Sequence, residues 1–173
     1  MSRISALQAL ALSLALSAAP AALNAQGLIN TQKLSAQLAN ELVGESVASC
    51  AKNGYPVVAV VVDLDGVRQA VLRGDGAPIH SVDNAYYKAY TVASVGLVRK
   101  EESTKAIADR MAKAAPTTVP ATPLPNVTYA QGALAITAGG KTIGGLGVSG
   151  APGGNLDEDC ARAALAKIKD RMK

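Results

Sequence analysis

The 173-residue chain predicts an α+β domain, an α/β sandwich in which an antiparallel sheet of about five strands is flanked by helices. Two paired apolar runs predict the sheet: "VVAVVVDLDGVRQAVLR" (57–73), with a turn at Asp65-Gly66, and "GALAITAGGKTIGGLGVSG" (132–150), with a turn at Gly139-Gly140. Helical stretches lie before, between and after these hairpins, giving the order α-β-β-α-α-β-β-α. A composition of 49% apolar and 17% charged residues is that of a folded domain.

The first helix is expected over 31–51, where Leu34, Leu38, Leu42, Val47 and Cys50 recur near one face and "NGYP" ends the pattern. After the first hairpin, "GDGAP" (74–78) breaks the chain. Ser81 reads as the cap of a helix running to about Val98, whose Ala85, Ala89 and Ala93 permit close packing. A further helix starts at Ser103 or Thr104 and carries Ile107 and Met111. The four prolines of "APTTVPATPLPN" (115–126) allow neither helix nor central strand, so a surface loop follows. A short extra strand is expected near Tyr129, ahead of the second hairpin. The closing helix places Asn155 and Glu158 at its cap and N3 positions.

Residues 1–25 read as a secretory signal, with Arg3 at the basic start, an apolar run, and small residues before a cut after Ala25. The alternative, a retained membrane anchor, is opposed by Ser13, Ser17 and Pro20 within the run. No other segment could span a bilayer, so residues 26–173 form one periplasmic or secreted domain. With neither Phe nor Trp, its core must be aliphatic, and any aromatic wall must come from the five tyrosines. Net charge is +4, but the cations are scattered and no nucleic-acid motif accompanies them. Cys50 and Cys160, on separate helices, are either a disulfide or two buried thiols.

Gly145, Gly147 and Gly150 have the G-x-G-x-x-G spacing of a dinucleotide loop, yet the 23 residues after Gly150 cannot complete a βαβ unit. These glycines instead let a strand approach a neighbouring backbone or ligand. Ser149 misses the nucleophile-elbow pattern because residue 151 is Ala151. One histidine and two distant cysteines make no zinc site. Of the paired carboxylates, Asp65 belongs to a turn and Asp63 to a strand end, and "LDED" (156–159) matches the acidic preference of a helix start. His80 is left as the residue with metal-ligand chemistry. Arg73, Lys88 and the tyrosines Tyr86, Tyr87 and Tyr90 lie near it in sequence and could supply propionate partners and a flat aromatic face for a porphyrin.

The segments "VVAVVVDLDGVRQAVLRGDGA" (57–77), "KAYTVAS" (88–94), the Ser103-Thr104 pair and "IGGLGVSGAPGGNLDEDCARAAL" (143–165) together resemble the GlcG/HbpS-type haem-binding proteins, which include the C-terminal domain of PduO-type proteins. The resemblance spans essentially the whole mature chain. It implies an antiparallel sheet flanked by helices, homo-oligomers, and haem bound through a histidine in some members and a threonine in others. By this resemblance His80 is the first-choice iron ligand and Thr104 the alternative. Arg73 and Lys88 would pair with propionates, Tyr87 would flank the ring, and a Cys50–Cys160 bridge fits the exported members. The glycines common before the penultimate strand are reduced to "AQGALAI" (130–136).

The function expected is therefore an exported, non-enzymatic haem-binding protein with a storage, sensing or accessory role. Two alternatives stand beside it: a cofactor-free homo-oligomeric accessory protein of a periplasmic carbon-source pathway, and a small-metabolite enzyme using Asp63 or Arg73.

Overall fold

The computed structural model describes residues 27–115 and 122–172, and the chain from Thr31 onward forms one compact unit. The expected leader and residues 116–121 of the proline-rich loop lie outside the described residues. Helix α1 (Ala36–Ala51) starts after Ser35, whose hydroxyl accepts the Leu38 N–H. Strands β1 (Val58–Asp63) and β2 (Arg68–Arg73) form the first hairpin, followed by α2 (Ser81–Ser94) and α3 (Thr104–Lys113). Strands β3 (Ala133–Ala138) and β4 (Lys141–Ser149) form the second hairpin, and α4 (Gly154–Ile168) closes the order α-β-β-α-α-β-β-α, followed by one 3₁₀ turn.

All strand pairs are antiparallel, in the order β2-β1-β4-β3, so the two hairpins meet along β1 and β4. Among the described residues the sheet has four strands; Tyr129 lies in irregular chain outside it. Ser103 makes one isolated bridge to Leu134, and the Glu102 carbonyl accepts the Ala135 N–H, so the start of α3 is held to the outer edge of β3.

Every residue of β1 is buried because the strand is covered on both faces. Ala59 and Val61 face the core made by α1 and α4, with Leu42, Val43, Leu146, Ala161 and Ile168. Val58, Val60 and Val62 face α2, through Ala85, Ala89 and Ala93. Cys50 of α1 and Cys160 of α4 form a disulfide with a Cα–Cα separation of 5.4 Å, tying together the two helices of the larger core.

The G-x-G spacing acquires its physical meaning here. Gly145 and Gly147 lie on the face of β4 that meets α2, opposite Val62 and Val60 of β1. A Cβ on Gly147 would sit 2.1 Å from the Ala85 carbonyl oxygen, and one on Gly145 2.3 Å from that of Ala89. The helix backbone thus rests directly on the strand backbone, an approach that only glycine allows.

Two expected caps differ. Ser81 is the first residue of α2 and its hydroxyl caps nothing, while α2 ends at Ser94 rather than near Val98. The α4 cap is Gly153, two residues earlier than expected, and it has no side chain to offer. Asn155 is therefore already inside the helix, and Glu158 pairs with Arg162 and Gln131 instead of closing a capping box.

Two stability measurements follow. Gly147→Ala should cost about 3 kcal/mol or more in chemical denaturation, since a rigid backbone carbonyl stands where the methyl must go; a wild-type midpoint would show that α2 is not seated on β4. Reducing the disulfide, or replacing both cysteines with serine, should lower stability by about 2–5 kcal/mol, and melts unaffected by reductant would exclude the bridge.

Candidate functional site

The seating of α2 on β4 sets the direction of the next side chain. Lys88 lies between Ala85 and Ala89 on the buried face of α2, and its Nζ donates to the Val148 carbonyl at 3.0 Å. It also donates to Asp157 Oδ2 at 2.8 Å, forming an ion pair whose partners are only 3% and 4% exposed. The other Asp157 oxygen accepts the Ala151 N–H at 3.0 Å, which pins the glycine-rich turn between β4 and α4. Burial pushes the Asp157 carboxyl above its ordinary pKa, against the opposing pull of the Lys88 ammonium and the Ala151 N–H.

This pair forms the floor of an open cleft of about 440 Å³, a volume within the range of about 300–1,000 Å³ usual for small-molecule sites. The starts of α2 and α4 and the chain ahead of β3 make its walls. Asn84 Nδ2 donates to Ser149 Oγ at 2.9 Å along one wall, and Gln131 reaches Glu158 along another. Ser81 lines the cleft with a fully buried hydroxyl that has no hydrogen-bond partner among the described residues.

Of the residues singled out from sequence, His80 and Lys88 meet in this cleft. His80 is exposed at its mouth, and its imidazole makes no hydrogen bond to a described residue. Lys88 is not a free cation, because Asp157 already neutralises it. Arg73 stands outside the lining: its Nε and Nη2 both donate to the Ala77 carbonyl, at 2.9 and 2.6 Å, and so brace the loop leading to His80. Tyr87 is half-buried, with its ring tilted against Tyr86 at 5.8 Å. Tyr86 in turn donates to the Gly66 carbonyl and carries Arg68 3.7 Å above its ring. Thr104 is fully buried at the start of α3, and its hydroxyl accepts the Ala133 N–H at 3.1 Å. Asp63 organises the first hairpin, accepting the Asp65 and Val67 N–H groups and the Lys33 ammonium. Burial raises its pKa, but those donors outweigh it and hold the carboxyl below the usual range.

Asp157, Ser81, Asn84 and Gln131 were not legible as site residues. For two members of the floor a signal existed: Lys88 interrupts the apolar stripe Ala85, Ala89, Val92, and Asp157 shares a helical face with Cys160, Ala161 and Ala164. A charge on the buried face of each of two helices implies a partner, although not which one. A larger open hollow of about 680 Å³ near Leu34, Ile143 and Met172 has two cations, Lys33 and Arg171, both already paired with carboxylates. Among the described residues no cluster of His, Cys, Asp and Glu could hold a metal ion, and no helix is long and apolar enough to cross a membrane.

Residues 34–166 match the family model described as "Haem degrading protein HbpS-like". The fold is similar to a crystal structure of HbpS, with 34% identity over 82% of this chain and 94% of that one, at a TM-score of 0.73. A double mutant of HbpS from Streptomyces reticuli is 36% identical over 87% and 97% of the two chains, with a TM-score of 0.74. The crystal structure of a PduOC:heme complex is 28% identical over 79% and 96%, with a TM-score of 0.69. No curated protein matches the chain at a significant level.

Lys88→Met should cost about 3–5 kcal/mol, because it strands the buried Asp157 carboxylate, and much of that loss should return in the Lys88→Met, Asp157→Leu double variant. Additive losses in a denaturant-based double-mutant cycle would show that the two groups are not coupled.

Proposed function

Because the chain belongs to the HbpS-like family, we propose that it binds haem, with the His80 imidazole as the iron ligand. The observation that carries this reading is the state of His80: exposed at the mouth of the cleft, its ring uncommitted to any hydrogen bond with a described residue, and so free to offer a nitrogen to iron. The surroundings fit. Pro78, Ala151 and Pro152 give the mouth an apolar lining, and the neighbouring Ile79 is 78% exposed, an apolar surface that a porphyrin would cover. Bound haem would supply a redox-active iron.

The chain's own residues have separable tasks in this reading. The Arg73 clamp on Ala77 fixes the loop that presents His80 and leaves Nη1 unspent for a propionate. Arg73 is thus the more available cation of the two, since Lys88 is committed to Asp157. His80 is preferred to Thr104 because the threonine is buried and its hydroxyl is engaged at the start of β3. Tyr87, on α2 and outside the cleft lining, would flank the ring only at the edge of a bound porphyrin. Storage, sensing and degradation would all begin with this binding step.

Export is inferred on separate grounds: the Cys50–Cys160 disulfide suits an oxidising compartment, in keeping with residues 1–25 as a secretory signal. Self-association is proposed as well, since β2 is an edge strand whose Val71 and Leu72 are 45% and 40% exposed.

Titration of the purified protein with hemin should give saturable binding with a defined Soret band. His80→Ala should shift or abolish that band while leaving the circular dichroism unchanged. An identical Soret maximum and affinity in the variant would remove His80 from the iron.

A further inference from the structure

We propose that the inner end of the cleft is a binding site in its own right for the carboxylate of a small organic acid, held by the backbone N–H groups of Gly153 and Gly154 and by the Ser81 hydroxyl. The proposal is independent of haem binding and uses different atoms.

Two observations converge on it. The first is the uncapped start of α4, where Gly153 and Gly154 line the cleft and no side chain caps the helix. Among the described residues the Gly153, Gly154 and Asn155 N–H groups have no acceptor, whereas the next two, of Leu156 and Asp157, both go to the Gly153 carbonyl. Such unspent amides, at the positive end of a helix of 15 residues, attract an anion. The second observation lies on the facing wall and comes from a different element. Ser81, at the start of α2, is 0% exposed, lines the same cleft and has an unpartnered hydroxyl. A buried hydroxyl without a partner costs free energy, and an acceptor placed in the cleft would recover it.

Charge selects the class of ligand. The floor contributes little net charge, because Lys88 and Asp157 neutralise each other, and Glu158 is taken up by Arg162. The attraction left is that of the helix start. It suits a monoanion, since the partial positive charge of one helix start, about half an elementary charge, is too small to balance a dianion such as phosphate. Gly153 and Gly154 are themselves required: a Cβ on Gly154 would fall 2.5 Å from the Gln131 carbonyl oxygen, and one on Gly153 2.6 Å from Asn155 Oδ1. A side chain at either position would collide with these oxygens and disturb the helix start that presents the amides.

The test is an amide-resolved NMR titration of the haem-free protein with acetate and propionate, at ionic strength held constant with chloride. Inorganic phosphate is run beside them. The expected result is saturable shifts at Gly153, Gly154 and Ser81 with either acid, weaker with phosphate and absent with chloride. Ser81→Ala should weaken binding about tenfold, the value of one hydrogen bond to a charged group. Asn155→Asp should weaken it as well, by putting a fixed negative charge beside the amides, while an acid in the first turn leaves the melting temperature unchanged or higher. Shifts that stay linear in concentration, that chloride reproduces, or that neither variant alters would overturn the site. Stronger binding of phosphate than of acetate would overturn the assignment to carboxylates. A hemin arm separates the two sources of a carboxylate: competition with acetate by hemin, but not by its dimethyl ester, would mean that the group bound is a haem propionate and that no independent site exists. Failure of hemin to bind at all, with acetate binding intact, would count against the haem reading alone.

Discussion

Direct backbone contact between α2 and β4 is the constraint on which the rest of the structure depends. A helix normally stands off a sheet by the thickness of two layers of side chains. Here Gly145 and Gly147 remove one layer, and Ala85 and Ala89 reduce the other to methyl groups. The helix therefore sits low enough for Lys88 to reach past the sheet edge to Val148 and to Asp157 on α4. With a bulkier strand, Lys88 would be too far out to make either contact. The spacing that resembles a nucleotide loop is thus a seat for a helix, and what it makes possible is a buried ion pair linking the two halves of the fold.

That pair gives the cleft its character. Neither charge could be buried alone, and together they leave a floor that is polar but close to neutral. The Ala151 N–H, accepted by Asp157, extends the network into the turn before α4, so the glycine-rich backbone and the ion pair are held as one unit. On the opposite side of the sheet the Cys50–Cys160 link joins α1 to α4. Helix α4 is therefore fixed from two directions, by a disulfide on its core face and by Asp157 near its start. Its first turn is presented to the cleft on a rigid support, which is what a site needs if a few backbone donors are to hold a ligand.

The rim is organised by different means. His80 stands on a loop anchored by the buried Ala77, and Arg73 of the neighbouring strand reinforces that anchor by donating twice to the Ala77 carbonyl. A residue first considered for its charge thus has a structural task that composition could not suggest. Thr104 is similar: its hydroxyl joins the start of α3 to the first amide of β3, where the Glu102 carbonyl and the Ser103 bridge also meet the sheet edge. Many polar side chains in this domain fasten one element to the next, whereas the His80 ring, like the Ser81 hydroxyl, makes no hydrogen bond to a described residue.

Element identity and order were legible in the sequence because they rest on local rules: period-2 apolar runs around Asp65-Gly66 and Gly139-Gly140, helical stripes, and proline where neither can continue. The resemblance to haem-binding proteins was legible for the same reason, since its motifs are contiguous stretches. Less local features were not. Whether Ser81 and Asn155 cap their helices depends on a shift of one or two residues that pattern cannot resolve, and the structure gives both caps away, Ser81 to a buried wall and Asn155 to the first turn of α4. The pairing of Lys88 with Asp157 spans 69 residues and exists only because two helices meet across one strand. The sequence by itself determined which segments are helices and strands, because backbone geometry and side-chain periodicity act over a few residues. Which charges meet, which hydroxyl is left unpaired and which amides face the cleft were decided by tertiary structure, because each depends on how closely the glycines of β4 let α2 approach.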